Sequence, residues 1–230
     1  METYIEQSAF FGVCISLFSY WFGMQAKKKW NTPLFNPLLI SIALTISFLA
    51  LGDIPYAAYN KSAQYISFLL TPATVCLAVP LYQQFSLLKK NFAAVIAGIC
   101  SGVIASLCSV LAFSLLFHFD KATYITFLPK SITTAIGMDV SQELGGHVPV
   151  TVAIIIITGV FGNMIAEPVC KLFRITHPIA RGIGIGSASH AVGTAKAMEM
   201  GEIEGAMSSL SIVVAGVLTV IGASIFASFY

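Results

Sequence analysis

Apolar runs of roughly one bilayer thickness follow one another along this chain with hardly any polar sequence between them. Residues 5–24, 38–51, 63–85, 91–117, 148–173 and 205–229 form such runs. A helix crossing the hydrocarbon core uses about 20 mostly apolar residues, so the chain has room for roughly six to eight crossings with short loops. Charged residues make up 10% of the 230, against about 25% in an ordinary globular chain, too few to clothe a soluble surface. A soluble domain, a disordered tail, a coiled coil and a nucleic-acid-binding surface are therefore excluded. The expected fold is an all-α polytopic membrane protein with a single membrane domain over residues 1–230.

Local signals set the boundaries. Lys27, Lys28, Lys29 and Trp30 close the first run, Pro33 and Pro37 stand at helix-start positions before the second, and Gly52, Asp53 and Pro55 stop it. The third run contains Pro72 and Pro80, which tend to break a helix, so it is open to being discontinuous and to bringing Thr71 or Thr74 to a site. Cys14, Cys76, Cys100, Cys108 and Cys170 lie in or beside apolar runs with no CxxC spacing and read as packing residues. Glu2 and Glu6 precede the first run and the lysines follow it, the reverse of a signal peptide's charge order.

Two stretches do not read as lipid-facing helices. One is Thr126-Phe-Leu-Pro-Lys-Ser-Ile-Thr-Thr-Ala-Ile-Gly137 with the residues up to 146; the other is Arg181-Gly-Ile-Gly-Ile-Gly-Ser-Ala-Ser-His-Ala-Val-Gly-Thr-Ala-Lys-Ala197. Both mix hydroxyls, glycines and a lysine into apolar sequence. With the N-terminus outside, Lys27 to Lys29, Lys89, Lys90, Lys171, Arg174 and Arg181 all fall in the cytoplasm, provided residues 123–146 enter the membrane and return to the same side. About six full spans plus two opposed re-entrant or broken segments, 123–146 from outside and 182–200 from inside, are therefore expected. Both chain termini would be periplasmic or extracellular. Opposed segments of this kind suggest an inverted repeat whose half-helix ends meet at a midplane site.

The residue types point to an anion. Beyond Pro129, Ser131, Thr133 and Thr134 are suited to starting a helix, whose N-terminus carries about half a positive charge. Lys130 adds a full one. In the second segment Gly182, Gly184 and Gly186 allow close backbone approach, and Ser187 and Ser189 can cap a short helix that carries His190, Gly193, Thr194 and Lys196. The substrate-binding candidates are Lys130, Ser131, Thr133, Thr134, Gly186, Ser187, Ser189, His190, Gly193, Thr194 and Lys196. Each has a plainer alternative: the lysines can snorkel to an interface, His190 can be either a proton-coupling group or a hydrogen-bonded packing residue, and the hydroxyls can bond their own helices. Asn163 and Glu167 share a helix face, and Glu167 either pairs with Lys196 or titrates with transport, or balances Lys171 and Arg174 at the interface. Asp139 and Glu143 form a further same-face pair, expected on the solvated surface.

In the run 91–117, Ala94, Gly98, Gly102 and Ser106 recur every fourth residue, with Ala97, Ser101, Ala105 and Ser109 beside them. Such rows let helices approach closely, within one chain or in a homodimer. Nucleotide loops, metal clusters and nucleophile–base pairs are absent, so no enzyme, metal or cofactor is expected.

Leu128-Pro-Lys-Ser-Ile-Thr-Thr, the Asn163-x-x-x-Glu167-Pro168 helix, and Gly182-Ile-Gly-Ile-Gly-Ser-Ala-Ser-His-Ala-Val-Gly-Thr-Ala-Lys-Ala followed by Glu204-Gly205-Ala206 together resemble the LrgB/CidB family of bacterial inner-membrane proteins over nearly the whole chain. That resemblance implies one of two functions. Bacterial members are described as holin- or antiholin-like, modulating murein hydrolase export and cell lysis beside a smaller LrgA/CidA partner. Plastid relatives look like glycolate and glycerate transporters, and some bacterial members are linked to pyruvate. A secondary transporter of small organic monocarboxylates, with proton coupling through His190 or Glu167, is the expectation that fits the anion-friendly segments; the antiholin-like regulator is the alternative.

Overall fold

The computed structural model describes residue 8 and residues 10–30, 35–76 and 78–230, and all regular structure among them is helical. The readings on Glu2, Glu6 and Pro33, and on the side chains of Thr71 and Thr74, fall outside the described portion. The chain divides into two compact units, Met1–Cys76 and Leu77–Tyr230.

The first unit contains α1 (Phe11–Trp30), α2 (Pro37–Leu51), α3 (Tyr56–Phe68) and α4 (Leu70–Cys76). Asn36 caps α2, its side chain accepting from Leu38 and Leu39 amides, and Pro37 occupies the first turn, where its missing N–H costs nothing. The Gly12 amide donates to Ser62 Oγ at 2.7 Å, and Ser16 shares a 2.7 Å hydrogen bond with the Tyr59 hydroxyl, so α3 is tied to α1 by polar contacts.

In the second unit the remainder of the third apolar run is short pieces, α5 (Ala78–Gln83) and α6 (Phe85–Lys90). The run is thus discontinuous. Among the described residues three helices, α7 (Phe92–Phe117), α10 (Val148–Leu172) and the last helix, which begins at Glu202, are long and apolar enough to cross a membrane, where six crossings are expected of the whole chain. On α7, Val95, Ile99, Val103, Leu107, Val110 and Ser114 are buried at three- and four-residue spacing, which gives the helix one core-facing stripe. Between α7 and α10, α8 (Lys121–Phe127) and α9 (Thr134–Leu144) are joined by residues 128–133. After α10 come α11 (Pro178–Met200) and α12 (Glu202–Phe226).

The contacts show that α8 and α9 form a hairpin. The Thr126 hydroxyl accepts from the His147 amide at 2.8 Å, and Thr151 donates to both Thr126 O and Ser141 Oγ, so the residues flanking the pair lie side by side. Gly145, at φ 88°, supplies the left-handed turn that ends α9. Asp120 caps α8: the Thr123 hydroxyl and the Thr123 and Ala122 amides donate to its carboxylate, the hydroxyl contributing most, and hold it below the usual carboxylate range.

Helix α11 is also a hairpin, folded at His190, whose φ of 43° and ψ of −140° are non-helical. Its first arm runs parallel to α12: a methyl group on Gly182 would stand 2.5 Å from the Glu204 carbonyl, and one on Gly186 would strike Ser208. Its second arm returns antiparallel, with Thr194 bonded to Ser208 at 2.7 Å and Met198 against Gly205. The two hairpins open at opposite ends of α12. The base of the first lies by Phe226 and Tyr230, where Tyr124 donates to Phe226 O at 2.9 Å and stacks on Tyr230. The base of the second lies by Glu204, which faces Arg181 at 3.7 Å.

Candidate functional site

A cavity of about 870 Å³ lies where the hairpin tips meet. Lys130 and Ser131 line it from the first tip, Ser187, Ala188 and Ser189 from the second, with Gly98, Ser101, Gly102, Ser106 and Ser109 from α7 and Thr158, Phe161 and Gly162 from α10. It extends to Asn91 and His177 at the basic end of the unit, and no residue of the end formed by His118, Asp120 and Tyr230 lines it. Among the lining residues Lys130 is the one with a formal charge at neutral pH, counting histidine as neutral.

Lys130 reaches the cavity because Pro129 ends the first arm and Ser131 follows before α9 begins. Its Nζ donates to Ser106 Oγ at 3.1 Å and Ser131 Oγ at 3.2 Å, and the two hydroxyls are 3.1 Å apart. The ammonium is thus half-buried in a triangle of neutral groups, with no carboxylate among its hydrogen-bond partners. A cation kept from water by hydroxyls alone favours an incoming anion. The second arms, α9 and residues 191–200, both begin at the tips, so both helix N-termini add partial positive charge there.

The other expected site residues divide by position. Thr133 sits at the N-cap of α9 without a side-chain capping bond and Thr134 opens that helix; neither lines the cavity. Ser187 lines it while donating to Ile183 O at 2.7 Å. Gly186 faces α12, and Gly193 packs on Ile185 and Ser189 inside its own hairpin. Of the glycines expected to admit close approach, Gly182 and Gly186 admit another helix, whereas Gly184 faces the open cavity. Thr194 is fully buried between His190 O and Ser208 Oγ.

His190 turns away from the cavity and towards α10, where its Nε2 donates to Ile155 O at 3.0 Å. Asn163 Nδ2 donates to Val192 O at 2.7 Å. One turn further on, Glu167 pairs with Lys196 at 3.3 Å and with Lys171 at 2.9 Å, so both carboxylate pairings open to the sequence coexist. Lys196 also meets Glu199 at 3.2 Å, in a second pocket of about 280 Å³ at the basic end that includes Arg181 and Cys170. Lys130 and Lys196, grouped by sequence, therefore stand at different places. Asp139 and Glu143 are exposed. Cys170 is buried but Cys14, Cys76 and Cys108 are exposed, so the packing role expected of the cysteines is confined to part of the set.

Sequence reasoning did not include Ser106 or the α10 wall in the site. Ser106 belongs to a row of small residues whose Gly98 and Gly102 pack on Ile183 and Ser187 of α11; a serine in such a row reads as helix packing. The neighbouring Ala97, Ser101 and Ala105 are exposed.

The LrgB-like family matches residues 16–229, spanning both tips, the Asn163–Glu167 face and α12. The chain belongs to the LrgB family. It is 37% identical over 220 residues to the antiholin-like protein LrgB of Bacillus subtilis strain 168, covering 95% of each chain. It is also 37% identical over 221 residues to the antiholin-like protein LrgB of Bacillus cereus strain B4264, covering 96% of each. No solved structure matches it.

Proposed function

We propose that this LrgB-family membrane protein binds a small organic monocarboxylate, such as glycolate, glycerate or pyruvate, between its hairpin tips and carries it across the bilayer. The observation that carries this reading is Lys130, the one formally charged group lining the cavity, held by the hydroxyls of Ser106 and Ser131. One monoanion balances that charge. A second carboxylate would enter without a cationic partner at considerable desolvation cost. Two broken segments entering from opposite ends, with irregular backbone around a cavity, support alternating access.

Lys89, Lys90, Lys171, Arg174, Arg181 and Lys196 gather towards one end, while Lys121 lies at the other, which supports a cytoplasmic basic end and an outward-facing Tyr230 in a bacterial inner membrane. In the same scheme six full spans and two re-entrant hairpins make up the chain, and Lys27 to Lys29 are cytoplasmic.

A second reading, an antiholin-like regulator of lysis working with a small LrgA/CidA-type partner, is favoured by the relatives' names, which back it better than they back transport. Purified protein in sealed liposomes separates the two. Transport gives saturable uptake of labelled glycolate, glycerate or pyruvate that disappears in Lys130→Ala. Leakage of unrelated dyes with no saturable uptake would overturn the transport reading and leave the second.

A further inference from the structure

Residue 190 adopts a backbone conformation in which glycine is at ease and an L-residue is strained: φ is 43° and ψ is −140°. The surrounding segment has glycines at 182, 184, 186 and 193, yet a histidine occupies the break itself. A strained conformation persists only where neighbouring structure holds it. Here the ring is buried, and its Nε2 donates to the Ile155 carbonyl of α10 at 3.0 Å. The ring lies over Gly159, where a methyl group would come within 2.7 Å of both Cε1 and Nε2. Three residues along, Gly162 receives Ser189, leaving no space for a side chain. Gly159 and Gly162 thus form a socket on α10 for the tip of the second hairpin.

Ile155 meets the other tip as well. It is fully buried, and its Cδ1 lies against Gly137 of α9, in the space that a β-carbon there would fill. Its carbonyl holds one tip and its side chain abuts the arm that descends from the other. Ile155 thus touches the second tip through its carbonyl and an arm of the first hairpin through its side chain.

We propose that His190 is a positioning residue. Its bond to Ile155 O fixes the second tip against α10, so that Ser187 and Ser189 face Lys130 across the cavity, and the ring acts as a hydrogen-bond donor without exchanging a proton with the transported anion. This inference rests on the transport reading for its kinetic consequence, but the position of the tip can be measured separately.

The experiment uses the full-length protein in liposomes and a thiol placed at Ser189→Cys in a background lacking the five native cysteines. In His190→Gly, which relieves the backbone strain and deletes the ring, a small methanethiosulfonate reagent labels position 189 about tenfold faster, and KM rises by about tenfold with the maximal rate largely kept, the fold-change that loss of one ordering hydrogen bond gives. His190→Gln, whose amide has a similar reach, restores both. Gly159→Ala pushes the ring aside with the histidine intact and raises labelling as His190→Gly does, so the test stands if the glycine variant does not fold. Unchanged labelling in both His190→Gly and Gly159→Ala would overturn the proposal. So would loss of uptake in His190→Gln with labelling at the wild-type rate, because the imidazole's proton would then be what matters. If the unsubstituted protein shows no uptake, the transport reading fails while the labelling rates still decide where His190 holds the tip.

Discussion

Lys130 is held by two hydroxyls rather than by a carboxylate, and that choice of partners decides what the position can do. A salt bridge would occupy the ammonium, whereas serines leave it able to attract an anion and can themselves turn to donate to a bound carboxylate. Ser106 is the more informative residue to change, since it comes from a different helix and contacts the ammonium directly. A hydrogen bond from the Ser106 hydroxyl to a bound carboxylate is worth about 1.5–3 kcal/mol, so Ser106→Ala is expected to raise the KM for a monocarboxylate by roughly tenfold or more. An unchanged KM in saturation uptake would remove Ser106 from the site. Lys130 was legible in the sequence because a cation next to a proline and several hydroxyls is conspicuous in apolar surroundings. Ser106 was not, because its own helix offers the same four-residue spacing to any close-packed neighbour and the contact with Lys130 spans 24 residues.

At the level of elements, each hairpin is broken by a different device. The first has a stretch outside regular helix around Pro129 and a glycine at φ 88° to close its far arm, both readable locally. The second folds at a histidine among glycines, a position that only its contacts with α10 explain. The glycines serve packing: Gly186 lies directly on the Ser208 backbone, whereas Gly184 has open space before it. Gly186→Val is therefore expected to destabilise the protein by about 3 kcal/mol or more, at or above the upper end of ordinary overpacking, because a backbone carbonyl cannot yield as a flexible side chain does. Gly184→Ala should unfold at close to the wild-type temperature. Thermal unfolding in detergent compares the two, and equal losses would mean that the first arm does not approach α12 as described. That the two segments oppose each other was legible from where the basic residues fall; the separation of Lys196 from Lys130 was not, because residue types do not show how far along the returning arm Lys196 stands from the tip.

At the scale of the whole second unit, the cavity extends to Asn91 and His177 at the basic end, whereas the other end carries stacked rings that do not line it, Phe117 on Phe119, Phe119 on Phe127 and Tyr124 on Tyr230. Thiols placed at Glu143→Cys and Thr176→Cys, both at exposed positions, should react with impermeant reagents from opposite faces of the membrane, the second from the cytoplasm. Labelling of both from one face would reject the opposed hairpins. The solitary cation in the cavity also bears on energetics across the bilayer. A carrier that neutralises one anion moves its load without net charge and returns empty with one positive charge, so the membrane voltage acts on the empty return and leaves the loaded step nearly untouched. A full elementary charge crossing the field is worth about 2.3 kcal/mol per 100 mV. In a cell that is negative inside, an empty site would be drawn towards the cytoplasm, which in the proposed orientation is the end where Asn91 and His177 line the cavity.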